Sequence, residues 1–198
     1  MSLILASASP RRADLLRQVG VTFKIIEPAI QEDMVSSENP DEMVVEIAQK
    51  KALDVTRRLI SGFVLAADTV VVCQEKVLGK PGDRDEARRM LKMLSGKEHK
   101  VFTGLALYDI AAERCQTGFT KTGVWMKALQ NRHIDAYVLS GEPLDKAGAY
   151  GIQGKGALFI DRIEGCYFNV VGLPLSLLYE LFTVMQVPTW FSGKDGNG

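Results

Sequence analysis

The 198-residue chain is 46% hydrophobic and 24% charged, an ordinary globular composition with material for one sizeable core or two closely joined lobes. Lysine plus arginine equals aspartate plus glutamate at 24 each, which excludes a global basic field able to recruit nucleic acid or an anionic membrane. Three cysteines without paired or metal-type spacing, no basic-then-apolar leader and no apolar run near the ~20 residues that span a bilayer argue against a secreted disulfide scaffold and a membrane protein, and predict a reducing cytoplasm.

In chain order, Leu3-Ile4-Leu5-Ala6 reads as a buried strand, and a helix follows over residues 10–19, with Ser9 as N-cap, Pro10 at the first position and Gly20 as the stop. Residues 22–26 read as a second strand leading to a loop with Glu32 and Asp33. Asn39-Pro40-Asp41-Glu42 is a capping signature for a helix to about Ile60, with Val44, Ile47, Ala48, Ala52, Val55 and Leu59 on one face. Phe63 to Cys73 is a continuous apolar, β-branched run that turns at Gln74-Glu75-Lys76 into Val77-Leu78, a central strand with a hairpin. Asp83 and Glu86 cap a helix ending at Gly96, residues 101–108 and 118–126 read as paired strands, and residues 131–139 as a shorter helix. After a glycine-rich stretch, residues 158–163 and 167–171 read as a hairpin about Glu164-Gly165, and residues 173–185 as a closing apolar helix. Crossovers mixed with hairpins predict an α/β fold with a mixed sheet flanked by helices. Residues 1–188 are expected to form a single domain, and residues 189–198 a flexible tail.

Several polar residues stand where their neighbours argue for burial or a special turn. The turn Ser7-Ala8-Ser9-Pro10-Arg11-Arg12 combines helix-start N–H groups, the positive end of the helix dipole and two guanidiniums; an anion suits it, although a capped surface helix has the same letters. Asp68 interrupts Val64-Leu65-Ala66-Ala67 and Val70-Val71-Val72, and so must lie at a cleft, hold a cation or be neutral, unless loop N–H groups satisfy it. Lys51, four residues from both Ile47 and Val55, either snorkels out of its apolar stripe or meets an anion. Lys80, in Leu78-Gly79-Lys80-Pro81, is aimed by the proline or is a solvated turn residue. Gly148, Gly151 and Gly154 punctuate a stretch too glycine-dense for a helix or strand interior; it presses on a ligand or is a flexible surface loop, and its spacing is not the dinucleotide fingerprint. His99 and His133 are too isolated for a metal site and read as structural. A polyphosphate substrate with a divalent cation, Mg²⁺ or Mn²⁺, accounts for the whole set, including the carboxylates of Glu32 and Asp68.

Six segments in register carry a family likeness: Ser7-Ala8-Ser9-Pro10-Arg11-Arg12, Ala48-Gln49-Lys50-Lys51-Ala52, Ala67-Asp68-Thr69-Val70, Lys80-Pro81, the run 142–154 and Gly172-Leu173-Pro174. Together they resemble the Maf family of nucleotide pyrophosphatases, over residues 3 to about 185. The resemblance implies an elongated α/β fold with a cleft between two lobes, akin to the inosine triphosphate pyrophosphatases, and hydrolysis of a nucleoside triphosphate to monophosphate and pyrophosphate. It implies Asp68 as proton acceptor, and Ser7, Arg12, Glu32, Lys51 and Lys80 lining the phosphate and metal region. Arg11, Thr69 and Gln153 fall where the family's branches differ and look like the dTTP/UTP branch; the 7-methyl-GTP branch has tryptophan, glutamine and glutamate there. The amide of Gln153 offers one donor and one acceptor to the O4 and N3–H edge of uracil or thymine, whereas a glutamate only accepts. His133 departs from a frequent glutamate in the family helix. In the implied mechanism, Glu32, Asp68 and the substrate phosphates hold Mg²⁺, Asp68 activates a water for in-line attack at the α-phosphorus, and Lys51, Lys80 and Arg12 stabilise the departing phosphates. The nucleotide is the expected partner, a homodimer is open, and the expected role is cytoplasmic house-cleaning. The alternatives are a purine pyrophosphatase of the inosine triphosphate type and a nucleotide-sensing regulator of septum formation.

Overall fold

The computed structural model describes residues 2–30 and 39–192. Its sheet is seven-stranded and mixed, in the order β2-β1-β3-β5-β6-β7 with β4 paired to β3, as the alternation of crossovers and hairpins predicts. The chain divides into two compact units, one of Met1–Asp68, Gly104–Phe119 and Leu175–Gly198, the other of Thr69–Thr103 and Thr120–Pro174.

In the first unit, β1 (Leu3–Ala6) is buried along its whole length and lies parallel to β2 (Phe23–Ile25) and to β3 (Phe63–Cys73), with Leu3 opposite both Phe23 and Phe63. Helix α1 (Pro10–Gln18) is the crossover to β2 and α2 (Pro40–Thr56) the helix before β3. Small residues bring α2 onto the sheet: Ala48 and Ala52 pack with Ile4, Ala6, Val64 and Ala66 in one buried cluster. On β5 (Glu98–Asp109), Gly104 lies so close to α2 that a Cβ there would stand 2.4 Å from the Val44 carbonyl carbon. The backbone of α2 thus rests on the sheet at a height that only a missing side chain allows. Lys51 follows Val44 by seven residues, two helical turns, and so stands on the same sheet-facing side. Helix α2 ends at Thr56, short of the expected Ile60: Arg58 and Leu59 turn back to Val55 and Thr56 in three-residue steps, Ile60 is 98% exposed, and Gly62, at φ +116, swings the chain into β3 against Ser2.

The second unit starts with the hairpin of β3 and β4 (Lys76–Leu78), whose turn residues Gln74 and Glu75 both have positive φ, the geometry that matches strand twist. Helices α3 (Arg84–Leu94) and α4 (Asn131–Leu139) contribute Ala87, Met90, Leu91 and Ile134 to a core shared with Val71, Val101 and Val124. Asp83 caps α3 as expected, its carboxylate accepting the Glu86 N–H at 2.7 Å. Strand β6 (Arg114–Met126) pairs antiparallel with β7 (Ile160–Glu164). The expected partner of β7 in a hairpin is instead α5 (Tyr167–Val171), a short helix. Its aromatic and β-branched letters favour a strand, but the fully buried Asn169 donates to Val101 O (3.0 Å) and Thr122 Oγ1 (2.9 Å), and Gly172 at φ +115 closes the turn. Helix α6 (Leu175–Val184) ends the fold in the first unit. Of the expected tail, residues 189–192 are described and tied down: the Trp190 indole N–H donates to Val19 O at 2.7 Å, at the end of α1. No helix among the described residues is long and apolar enough to cross a membrane.

If Gly104 sets the seat of α2, Gly104→Ala loses ~1–3 kcal/mol of stability by urea denaturation through overpacking against Val44; a variant as stable as the parent refutes the close approach.

Candidate active site

The start of α1 is built differently from the sequence expectation. Ser9 has the extended N-cap backbone and Pro10 the first helical position, but the Ser9 side chain makes no capping bond. Ser7, buried at the end of β1, accepts the Ser9 N–H at 3.1 Å. Ser7 Oγ also accepts from Arg12 Nη1 (3.2 Å), and the same nitrogen donates to Ala67 O at 2.9 Å. Arg12 is thereby fixed to β3 one residue before Asp68. No acidic residue occupies the first turn of the helix, where the positive end of its dipole and Arg12 stand. Gly20, at φ +68, ends the helix as expected: its N–H reaches Arg17 O and that of Val21 reaches Leu16 O.

Asp68 and Lys51 answer each other. Asp68 shares its face of β3 with Val64 and Ala66, the face that α2 covers, and Lys51 Nζ lies 2.6 Å from Asp68 Oδ1 with both residues 7% exposed. Of the options open for each, Lys51 meets an anion and Asp68 holds a cation, the ammonium of Lys51. Two charges taken out of water at this depth are tolerable only as a close pair, because either alone costs several kcal/mol. The pair stands beside the Arg12 guanidinium and the start of α1.

Thr69, Lys80 and Gln153 belong to the second unit. Thr69 Oγ1 lies 2.9 Å from Thr103 Oγ1, and Thr103 donates to Asn169 O at 3.0 Å. Lys80 is exposed after β4, and the preceding Gly79 carbonyl accepts from Gly148 N–H at 2.9 Å, so the lysine's turn is tied to the glycine-rich segment. Gly148 has φ +68 and no room for a side chain, since a Cβ would come within 2.9 Å of Val71 Cγ2. The segment is not irregular throughout: Glu142–Asp145, Ala147–Ala149 and Gly154–Phe159 form 3₁₀ turns. Gln153 is exposed and extended at the head of the last one. Glu142 pins this turn by accepting from Lys155 N–H (3.1 Å), Gly156 N–H (3.2 Å) and the Tyr137 hydroxyl (3.0 Å). Burial works against its charge, yet those donors, Gly156 and Lys155 foremost, hold the Glu142 carboxyl below its ordinary value. Tyr150 is anchored as its alternation with glycines suggests, buried with its hydroxyl 2.7 Å from His99 Nε2. Burial lowers the His99 pKa to about 4, so the ring is neutral at pH 7 and structural.

The fold thus gathers Ser7, Arg12, Lys51 and Asp68 in the first unit, and ties the Lys80 turn to the glycine-rich segment that leads to Gln153 in the second. Arg11 is half-buried in the first turn of α1, and His133 is exposed on α4. Glu32, the second expected metal carboxylate, lies outside the described residues. Among the described residues no group of three or more His, Cys, Asp or Glu side chains converges on one point. Sequence reasoning missed Thr103 and Asn169. Their signal was the one that exposed Asp68, a polar residue inside an apolar run, in Val101-Phe102-Thr103-Gly104 and Tyr167-Phe168-Asn169-Val170-Val171.

A family profile described as Maf-like protein matches residues 2–185, and the chain belongs to that family. The dTTP/UTP pyrophosphatase of Carboxydothermus hydrogenoformans is 50% identical over 180 residues, covering 91% of this chain and 96% of the relative. The dTTP/UTP pyrophosphatases of Acetivibrio thermocellus (49% over 188 residues, 91% and 94% covered) and Pelotomaculum thermopropionicum (48% over 179 residues, 90% and 94% covered) are similarly related. Among solved structures, a dITP/XTP pyrophosphatase of Mycobacterium abscessus aligns with 94% of this chain and 96% of its own at 10% identity and TM-score 0.41, a likeness too distant to bear on the site.

Removing one member of the ion pair strands the other. Lys51→Met is expected to lose ~3–5 kcal/mol in urea denaturation, and the double variant Lys51→Met/Asp68→Leu to regain most of it; a single variant within ~1 kcal/mol of the parent shows that the pair is not buried as described.

Proposed function

We propose that the chain hydrolyses dTTP and UTP to the nucleoside monophosphate and pyrophosphate, as a house-cleaning enzyme of the cytoplasm. The observation that carries this reading is the buried Lys51–Asp68 pair next to the Arg12 tether, a carboxylate set among groups that favour phosphate. Relatives bearing the dTTP/UTP pyrophosphatase name, at near half identity over most of the chain, support the same chemistry.

In the proposed reaction Asp68 takes a proton from a water whose oxygen attacks the α-phosphorus in line. The bond between that phosphorus and the bridging oxygen breaks, and pyrophosphate leaves with the electron pair. Lys51, 2.6 Å from Asp68, orients that carboxylate and faces the charge that gathers on the phosphates. Arg12, Ser7, Lys80 and the N–H groups at the start of α1 bind the departing phosphates, a mainly electrostatic task. Arg11, Thr69 and Gln153 bind the nucleoside end, with the Gln153 amide reading the pyrimidine edge. The oxygen donors of Asp68 and Glu32 suit a hard cation such as Mg²⁺ or Mn²⁺. When bound it neutralises phosphate charge.

The first test is a panel of nucleoside triphosphates with Mg²⁺ or Mn²⁺ in ¹⁸O-water, following both products. Release of pyrophosphate from dTTP and UTP is expected, with label in the monophosphate and kcat lowered roughly 10²-fold or more in Asp68→Asn. Hydrolysis of purines alone, or binding without turnover, overturns the reading. Separately, Gln153→Glu should depress dTTP and UTP turnover more than that of other nucleotides; equal losses for every base would leave Gln153 only a loop-shaping role.

A further inference from the structure

Residues 151–156 of the second unit are folded around two side chains. The hydroxyl of Tyr137, on α4, donates to Glu142 Oε1 at 3.0 Å and accepts the Gly151 N–H at 3.2 Å. Glu142 accepts twice more from the other end of the turn, the Gly156 N–H on Oε1 at 3.2 Å and the Lys155 N–H on Oε2 at 3.1 Å. Backbone donors from both ends of the turn thus converge on one tyrosine–carboxylate pair. Burial pushes the Tyr137 pKa up, so the hydroxyl keeps the proton it gives to Glu142.

The glycines of the segment are shaped to the same pair. A Cβ on Gly156 would stand 2.6 Å from the Tyr137 hydroxyl and 2.4 Å from Gly151 O, and one on Gly154, at φ +72, would stand 3.0 Å from Glu142 Oε1. A density of glycine that suits either a ligand or a flexible loop is therefore explained here by the protein's own side chains. The pair is anchored from outside residues 151–156. Tyr137 is 3% exposed and its ring meets that of Phe159 edge-on at 5.1 Å, while Glu142 O accepts from Lys146 Nζ at 2.6 Å.

We propose that Tyr137 and Glu142 form a latch: they hold residues 151–156 closed as one unit, so that the turn opens whole or not at all and carries Gln153 with it. The Tyr137 hydroxyl is the joint between the two ends, because it both receives Gly151 and steadies the carboxylate that receives Lys155 and Gly156. Without that hydroxyl the half-buried carboxylate loses a donor and turns toward water, and the bonds at the far end go with it. Gln153, exposed and extended at the head of the last 3₁₀ turn, moves only with this unit. The latch goes beyond the proposed hydrolysis and does not depend on it.

The test is amide hydrogen exchange read residue by residue by NMR on the ¹⁵N-labelled full chain, in the parent, Tyr137→Phe and Glu142→Gln. Tyr137→Phe deletes the hydroxyl and keeps the ring on Phe159, and it removes the direct partner of the Gly151 amide alone. The latch nevertheless requires the amides of Gly151, Lys155 and Gly156 to exchange faster together, each about fivefold to tenfold, with amides of β3 and β5 at parent rates. Glu142→Gln keeps the shape but sets an NH₂ group among N–H donors, and it should release the same amides, Gly151 included. If Tyr137→Phe does not fold, the glutamine variant gives the same reading. Faster exchange at Gly151 alone in the first variant, or at Lys155 and Gly156 alone in the second, means separate bonds and overturns the latch. Acceleration spread evenly over the chain means a loss of global stability and overturns it too, as do unchanged rates.

Discussion

Lys51 and Asp68, 2.6 Å apart and almost wholly buried, set the terms for the first unit. Neither charge could be left alone at that depth, so every element that delivers one to the other is constrained. Helix α2 must bring Lys51 down onto the sheet, which it does with Ala48 and Ala52 on its lower face and a glycine in β5 beneath Val44. Strand β3 must carry Asp68 on the same face as Val64 and Ala66, and its parallel pairing with β1 fixes that register residue by residue. A one-residue slip would put the carboxylate on the opposite face, away from its lysine.

The same constraint explains why the start of α1 is stitched to β3. Ser7 closes the helix start and receives Arg12, and Arg12 spends a second bond on Ala67 O, beside Asp68. The side chains that the proposed function assigns to phosphate are thus held by the protein itself. Groups already oriented toward a charge need not reorganise when it develops, and this is how fixed dipoles and cations lower a barrier in phosphoryl transfer. The cost is a tight network in which one serine oxygen accepts from both the Ser9 N–H and a guanidinium.

Much of this was legible in the letters because charges in apolar surroundings demand explanation. Asp68 in its strand and Lys51 in its helical stripe each announced an unmet need, although nothing in their spacing showed that they meet. The β3–β4 hairpin, α4 and the caps of α3 and α1 were also readable, since local sequence decides them. Where the outcome depended on contacts distant in the chain, local letters misled. Residues 167–171 looked like a strand, but bonds from Asn169 to Val101 and Thr122 held them as a helix.

The proposed function makes two demands on the protein. A triphosphate is a dense, nearly base-independent charge, and the proposal assigns it to Arg12, Lys51, Lys80 and the start of α1. A pyrimidine edge carries no net charge and differs from its neighbours only in which atoms hold protons, and the proposal assigns it to Arg11, Thr69 and Gln153. Charge gives strength with little selectivity, whereas an oriented neutral hydrogen bond is individually weak but changes sign when donor and acceptor are exchanged. Selectivity of that kind requires that the reader not rotate, and the contact of Thr69 with the buried Thr103, itself bonded to Asn169 O, restrains one of these side chains.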